Sequence, residues 1–119
     1  MSERIKNLIR EVNHFFSEND RESILSLFSD EITYEVVGET HITGKPDMAD
    51  YLDKMTSDQQ PYTIEVTNII IDGNQAVAEG SINAADGATF AFCDVYGFTD
   101  HGEIIIHSIR SYIVKKTTN

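Results

Sequence analysis

Residues 62–114 read YTIEVTNIIIDGNQAVAEGSINAADGATFAFCDVYGFTDHGEIIIHSIRSYIV, and this stretch decides the fold. Four segments within it, 62–71, 75–84, 89–99 and 103–114, are rich in β-branched and aromatic residues. Such composition suits a pleated, half-buried surface, so all four read as strands. The linkers DGN, ADGA and DHG carry the residues that tight hairpin turns require. Consecutive strands on short turns predict an antiparallel meander.

The chain before residue 62 has a different period. Ile5, Leu8, Ile9, Val12, Phe15 and Phe16 recur at helical spacing, which predicts an amphipathic helix over 3–18. Asp20 suits the N-cap of a second, short helix carrying Ile24, Leu27 and Phe28. SDE (29–31) ends that helix, and ITYEVVG (32–38) reads as a strand. A loop containing His41 follows, and Pro46 suits the first turn of a third helix. That helix runs to about Met55, with Met48, Tyr51, Leu52 and Met55 on its apolar face. Helices gathered early and strands late predict an α+β fold, with three N-terminal helices packed on one face of a curved, mostly antiparallel sheet. A chain of 119 residues is the length of one ordinary domain, spanning 1–119.

Composition narrows the partners. Asp and Glu outnumber Lys and Arg by 20 to 9, for a net charge of −11. Neutralising phosphates needs basic residues, so no nucleic acid partner and no anionic membrane surface is expected. Cys93 is the single cysteine, which precludes an internal disulfide and a multi-cysteine zinc site. Four scattered histidines without an i, i+4 pair give no metal site, and no cofactor fingerprint occurs. MSERIKNLIREV mixes charges into its apolar residues, unlike a secretory leader. A cytoplasmic protein is the expectation.

The last hairpin carries the chemistry. Alternation puts Phe90, Phe92, Asp94, Tyr96 and Phe98 on one face, and Ala91, Cys93, Val95 and Gly97 on the other. If Asp100 and His101 form a two-residue turn, Asp94 lies opposite His107. Ile105, Ile109 and Ser111 then share its face, while Ile104, Ile106, Ser108, Arg110 and Tyr112 take the other. If Gly102 instead closes a three-residue loop with a bulge, Asp94 lies opposite Ser108 on the face of Arg110. In the first register both faces are largely apolar. The helices cover one, and a second copy of the chain is the simplest cover for the other, so a homodimer through the outer sheet face is expected.

NDRESILSLFSDEITYEVVG, the TG before the third helix and DVYGFTDHGEI resemble the nuclear transport factor 2-like superfamily, nearest its SnoaL-like and ketosteroid isomerase-related branches. The resemblance covers nearly the whole chain. It implies a bent sheet wrapped around the helices, leaving a cone-shaped pocket, and it makes dimers common. It also puts Asp94 at the oxyanion-stabilising acid of the isomerase and His107 at a pocket position on the final strand. The isomerase's tyrosine falls on Val12 and its base on Val36. A one-residue gap would offer Glu35 instead, but the ungapped count keeps Tyr34 and Val36 on the pocket side. Steroid isomerisation is therefore expected to be absent or very weak.

Asp94 and His107 together form the candidate acid–base pair, since a carboxylate that orients an imidazole can move a substrate proton. A cross-strand pair that only satisfies itself is an equal reading. Phe16, Tyr34, Tyr51, Phe92 and Tyr96 are candidate substrate contacts, although a tyrosine at such spacing is more often core. Ala76, Ala78, Gly80 and Ile82 share one face of their strand. They leave room for a ligand or admit a bulky helix residue. Three functions remain open: a cofactor-free isomerase, cyclase or hydrolase acting on a small apolar carbonyl or hydroxyl compound, a non-catalytic ligand-binding protein, or a dimeric interaction module with a vestigial pocket.

Overall fold

A computed structural model describes residues 2–58, 62–99 and 104–116. Helix α1 (Ser2–Ser17) is followed by α2 (Arg21–Ser26), strand β1 (Phe28–Val36), strand β2 (Thr40–Thr43) and helix α3 (Lys45–Asp58). Strands β3 (Tyr62–Asp72), β4 (Gln75–Ala84), β5 (Thr89–Thr99) and β6 (Ile105–Lys115) complete the fold. The six strands form one curved sheet in the order β2-β1-β6-β5-β4-β3. It is mixed, because β1 joins β6 in parallel while every other pair is antiparallel. The fold class is α+β.

Asp20 caps α2: its carboxylate accepts the Ser23 backbone N–H at 3.3 Å and the Ser23 hydroxyl at 2.7 Å. That helix is only six residues long, so two long helices carry most of the packing. Leu27 is its C-cap, and Phe28 opens β1. SDE therefore lies inside the strand, not at the end of a helix. The loop expected around His41 is the short edge strand β2, its His41 paired with Glu35. Four residues after a turn carry too little periodicity to be recognised from the sequence.

The core forms where α1, α2 and α3 meet the inner sheet face. Ile5, Ile9 and Val12 of α1, Ile24 of α2, and Met48 and Leu52 of α3 pack against Ile32, Ala76, Ala78, Phe98, Ile106 and Ile109. Strand β3 slips by one residue against β4 between Val66 and Asn68. There the Glu65 carbonyl approaches Gly80 so closely that a Cβ on Gly80 would overlap it. Gly80 thus permits a close backbone approach at a bulge.

A second bulge changes the reading of β6. Gly97 pairs with Ser108 but Phe98 pairs with Ile106, leaving His107 as the extra residue. Thr99 pairs with Ile105, so the connection is longer than either turn expected. The residues of that DHG turn, 100–102, lie outside the described ones. Asp94 consequently faces Ser111, neither His107 nor Ser108. Beyond the bulge the expected face holds, with Ile109 and Ser111 inward. Before it the faces exchange. Ile106 is 0% exposed and Ile104 packs against the core, so neither belongs to the outer face.

Candidate active site

The inner face of β5 delivers Phe90, Phe92, Asp94 and Tyr96 to a cavity of about 400 Å³. Tyr34 and Val36 reach it from β1, Ser111 and Ile109 from β6, Asn13 and Phe16 from α1, and Tyr51 from α3. Glu39, just past β1, also lines it. The walls are mainly aromatic and aliphatic, and among the described lining residues there is no Lys, Arg or His. Small-molecule sites have this character: an apolar hollow with a few placed polar groups.

Asp94 is that polar group. It is 9% exposed, and burial lifts its pKa from 3.8 to about 6, while hydrogen bonds from Ser111 and Tyr96 hold it down. The Ser111 hydroxyl donates to Oδ1 at 2.5 Å and the Tyr96 hydroxyl to Oδ2 at 3.3 Å. Asn13 extends the chain: its Nδ2 donates to Tyr96 Oη at 3.1 Å and to the Ile9 carbonyl at 2.8 Å. Asn13 and Ser111 were invisible as site residues in the sequence. Asn13 sits one residue beyond the apolar stripe at Val12, and Ser111, already expected on the face of Asp94, is placed directly opposite it only by the observed register.

Three further tyrosines surround the hollow. Tyr34 stacks on Phe16 at 6.2 Å between centroids and meets Tyr51 at 5.6 Å. Burial raises the Tyr34 hydroxyl well above its ordinary range. Burial also raises Tyr51, with the Glu39 carboxylate adding to the effect. Tyr62 donates to the Phe16 carbonyl at 3.0 Å, and burial pushes its hydroxyl up to about 12. These phenols stay protonated and act as donors.

Five of the expected contacts, Phe16, Tyr34, Tyr51, Phe92 and Tyr96, line this cavity with Asp94. His107 does not. It is exposed, and its Nδ1 lies 3.3 Å from Ser29 Oγ. The Asp94–His107 pair is therefore not formed, because the bulge turns the imidazole away from the inner face. Val36 lines the cavity, whereas Glu35 belongs to a small polar dent with Ser108 and Arg110. Val12 is buried in the core. His14 and His41 are exposed, and among the described residues no group of His, Cys, Asp and Glu could hold a metal.

A bent mixed sheet packed on its inner face by helices is the nuclear transport factor 2-like fold, and the comparisons agree. A 1.45 Å structure of a nuclear transport factor 2-like protein of unknown function from Cytophaga hutchinsonii is 28% identical. It aligns over 91% of this chain and 97% of that one, with a TM-score of 0.71. A protein from Kribbella flavida assigned as a ketosteroid isomerase gives a TM-score of 0.80 at 15% identity, over 98% and 82% of the two chains. An epoxide hydrolase from M. tuberculosis gives 0.74 at 20% identity, over 90% and 80%. The last two likenesses concern the fold alone. Comparison with curated proteins gives no match. The SnoaL-like domain model matches residues 9–107, and the chain belongs to that family.

Proposed function

We propose that the protein is an acid–base enzyme acting on a small, largely apolar and uncharged molecule that carries a carbonyl, hydroxyl or strained ether oxygen. An isomerase, cyclase or hydrolase reaction fits, driven by the protein's own side chains without a cofactor. The observation that carries this reading is Asp94: a buried carboxyl in an aromatic-walled cavity, with a pKa of about 6. A group poised near neutrality both gives and takes a proton at useful rates. Protonated, Asp94 would donate to the ligand oxygen; ionised, it would accept a proton from the ligand. Phe16, Phe92, Tyr34 and Tyr51 would hold the apolar body. A carboxylate inside and Glu39 at the lining, with no described cation beside them, disfavour an anionic ligand.

A second reading is a binding protein without turnover. Val36 lines the cavity at the position the resemblance assigns to a base, so Asp94 would have no partner to share the proton transfer. A panel of uncharged ketones, epoxides and alcohols, screened by thermal shift and then for turnover, separates the two. Turnover lost in Asp94→Asn with binding retained supports the enzyme. Tight binding without turnover supports the second reading. No ligand stabilising the fold would overturn both.

A further inference from the structure

Asn13 donates twice from one nitrogen. Its Nδ2 lies 2.8 Å from the Ile9 carbonyl and 3.1 Å from Tyr96 Oη. A carbonyl only accepts, so Ile9 settles which end of the amide carries the hydrogens. Both hydrogens are then committed, and one is received by the Tyr96 oxygen. Tyr96 is 2% exposed, so its own hydrogen has no bulk water to turn to. The acceptor in reach is Asp94 Oδ2, at 3.3 Å.

Ser111 is under no such constraint. Its hydroxyl meets Asp94 Oδ1 at 2.5 Å. By rotating about one bond, a serine hydroxyl donates to a carboxylate or accepts from a carboxylic acid. The two oxygens of Asp94 are therefore unequal. Oδ2 receives the Tyr96 hydrogen whether or not Asp94 is ionised. Oδ1 is free to gain or lose a proton while Ser111 reverses.

We propose that Asn13 is the positioning residue of this site: by pinning Tyr96 as a one-way donor, it confines the exchangeable proton of Asp94 to Oδ1, beside Ser111. The catalytic consequence rests on the acid–base reading above, whereas the lock itself is a property of the resting protein. The groups packed around Asp94 make the lock readable. Helix α1 contributes Asn13, β4 contributes its cross-strand partner Ala78, and β6 contributes Ser111. Tyr34 from β1 and Tyr96 from its own strand are the titratable groups that act on it, with Glu39 also lining the cavity and Cys93 adjacent on the opposite face. Burial raises both phenols, so neither changes charge while Asp94 titrates.

The test follows the Asp94 carboxyl carbon by NMR against pH in the full chain, for wild type, Asn13→Leu, Tyr96→Phe and the double variant. Without Asn13 the Tyr96 hydroxyl is a weaker donor and can turn to accept from the protonated acid. Both changes favour the neutral form, so the midpoint should rise by about half a pH unit or more. Tyr96→Phe should also raise it, and the double variant should match Tyr96→Phe alone, because Asn13 acts only through Tyr96. An unchanged midpoint in folded Asn13→Leu, or shifts that simply add, would overturn the lock. If Asn13→Leu does not fold, the wild-type amide decides: both Asn13 side-chain hydrogens should be protected from exchange throughout the titration, and rapid exchange of either overturns the proposal. With a substrate in hand, the acid limb of kcat/KM should move by the NMR shift. An NMR shift without that movement would sink the acid–base reading and leave the lock standing.

Discussion

Asp94 sets the terms at the scale of single residues. Its carboxyl has a pKa of about 6 in the folded chain against 3.8 for the free group. Well below pH 4 it is neutral folded or unfolded, and costs nothing. Between these values the folded chain holds a proton that the unfolded chain has released, so stability falls as pH rises through the window. Above it the full penalty, at most about 3 kcal/mol, is present. Asp94→Asn keeps both hydrogen-bond partners and removes the charge. It should be more stable than wild type at pH 7 by up to that amount, and nearly equal at pH 3; urea unfolding at the two pH values checks this. The bulged His107 predicts the opposite pattern. His107→Ala should alter stability by less than about 0.5 kcal/mol and leave ligand binding unchanged by calorimetry. Loss of binding there would return the imidazole to the site.

At the scale of elements, two local devices shape the sheet and its helices. Gly80 lets β3 bulge across β4, since the Glu65 carbonyl occupies the place of a side chain. Gly80→Ala must push backbone against backbone, and a loss of about 1–3 kcal/mol is expected by thermal unfolding. Asp20 caps α2 through Ser23, and Asp20→Ala should cost about 1 kcal/mol. A six-residue helix has little intrinsic stability. Its loss should therefore appear as early hydrogen exchange across α2, before the sheet opens.

For the whole molecule, the unanswered surface is the outer sheet face. Cross-strand pairing sets His41, Glu35, Arg110, Val95, Val77 and Ile70 in one row across the six strands. The row is polar at one end and apolar at the other. Ile70 is 59% and Val114 66% exposed on this face, with Tyr112 and half-buried Cys93 between the rows. We propose that a second copy covers it, with the isologous contact placing apolar ends together. Sedimentation at micromolar concentration should give twice the 13.4 kDa chain mass. Val77→Glu should yield a folded monomer, because the new carboxylate, flanked across the sheet by Val95 and Ile70, would be desolvated without a partner. A wild-type monomer would refute the dimer.

The sequence by itself determined the order of the elements other than the short edge strand β2, the four long strands and the face of β5 that bears Asp94. It did so because these follow from local periodicity: alternation along FAFCDVYGF and the helical stripe of α1 need no distant partner. The candidate cavity wall of Phe16, Tyr34, Tyr51, Phe92 and Tyr96 was legible for the same reason. The register of β6 was not. Its bulge at His107 depends on how β1, β5 and β6 fit together, and a shift of one residue exchanges the faces of a strand. That tertiary choice sends His107 outward and brings Ser111 to Asp94. Asn13 lies beyond local reading too, since a polar residue beside an apolar stripe gains its meaning only from Tyr96, 83 positions along the chain. Residue pattern chose the faces, and the contacts between strands and helix chose which polar groups meet inside them.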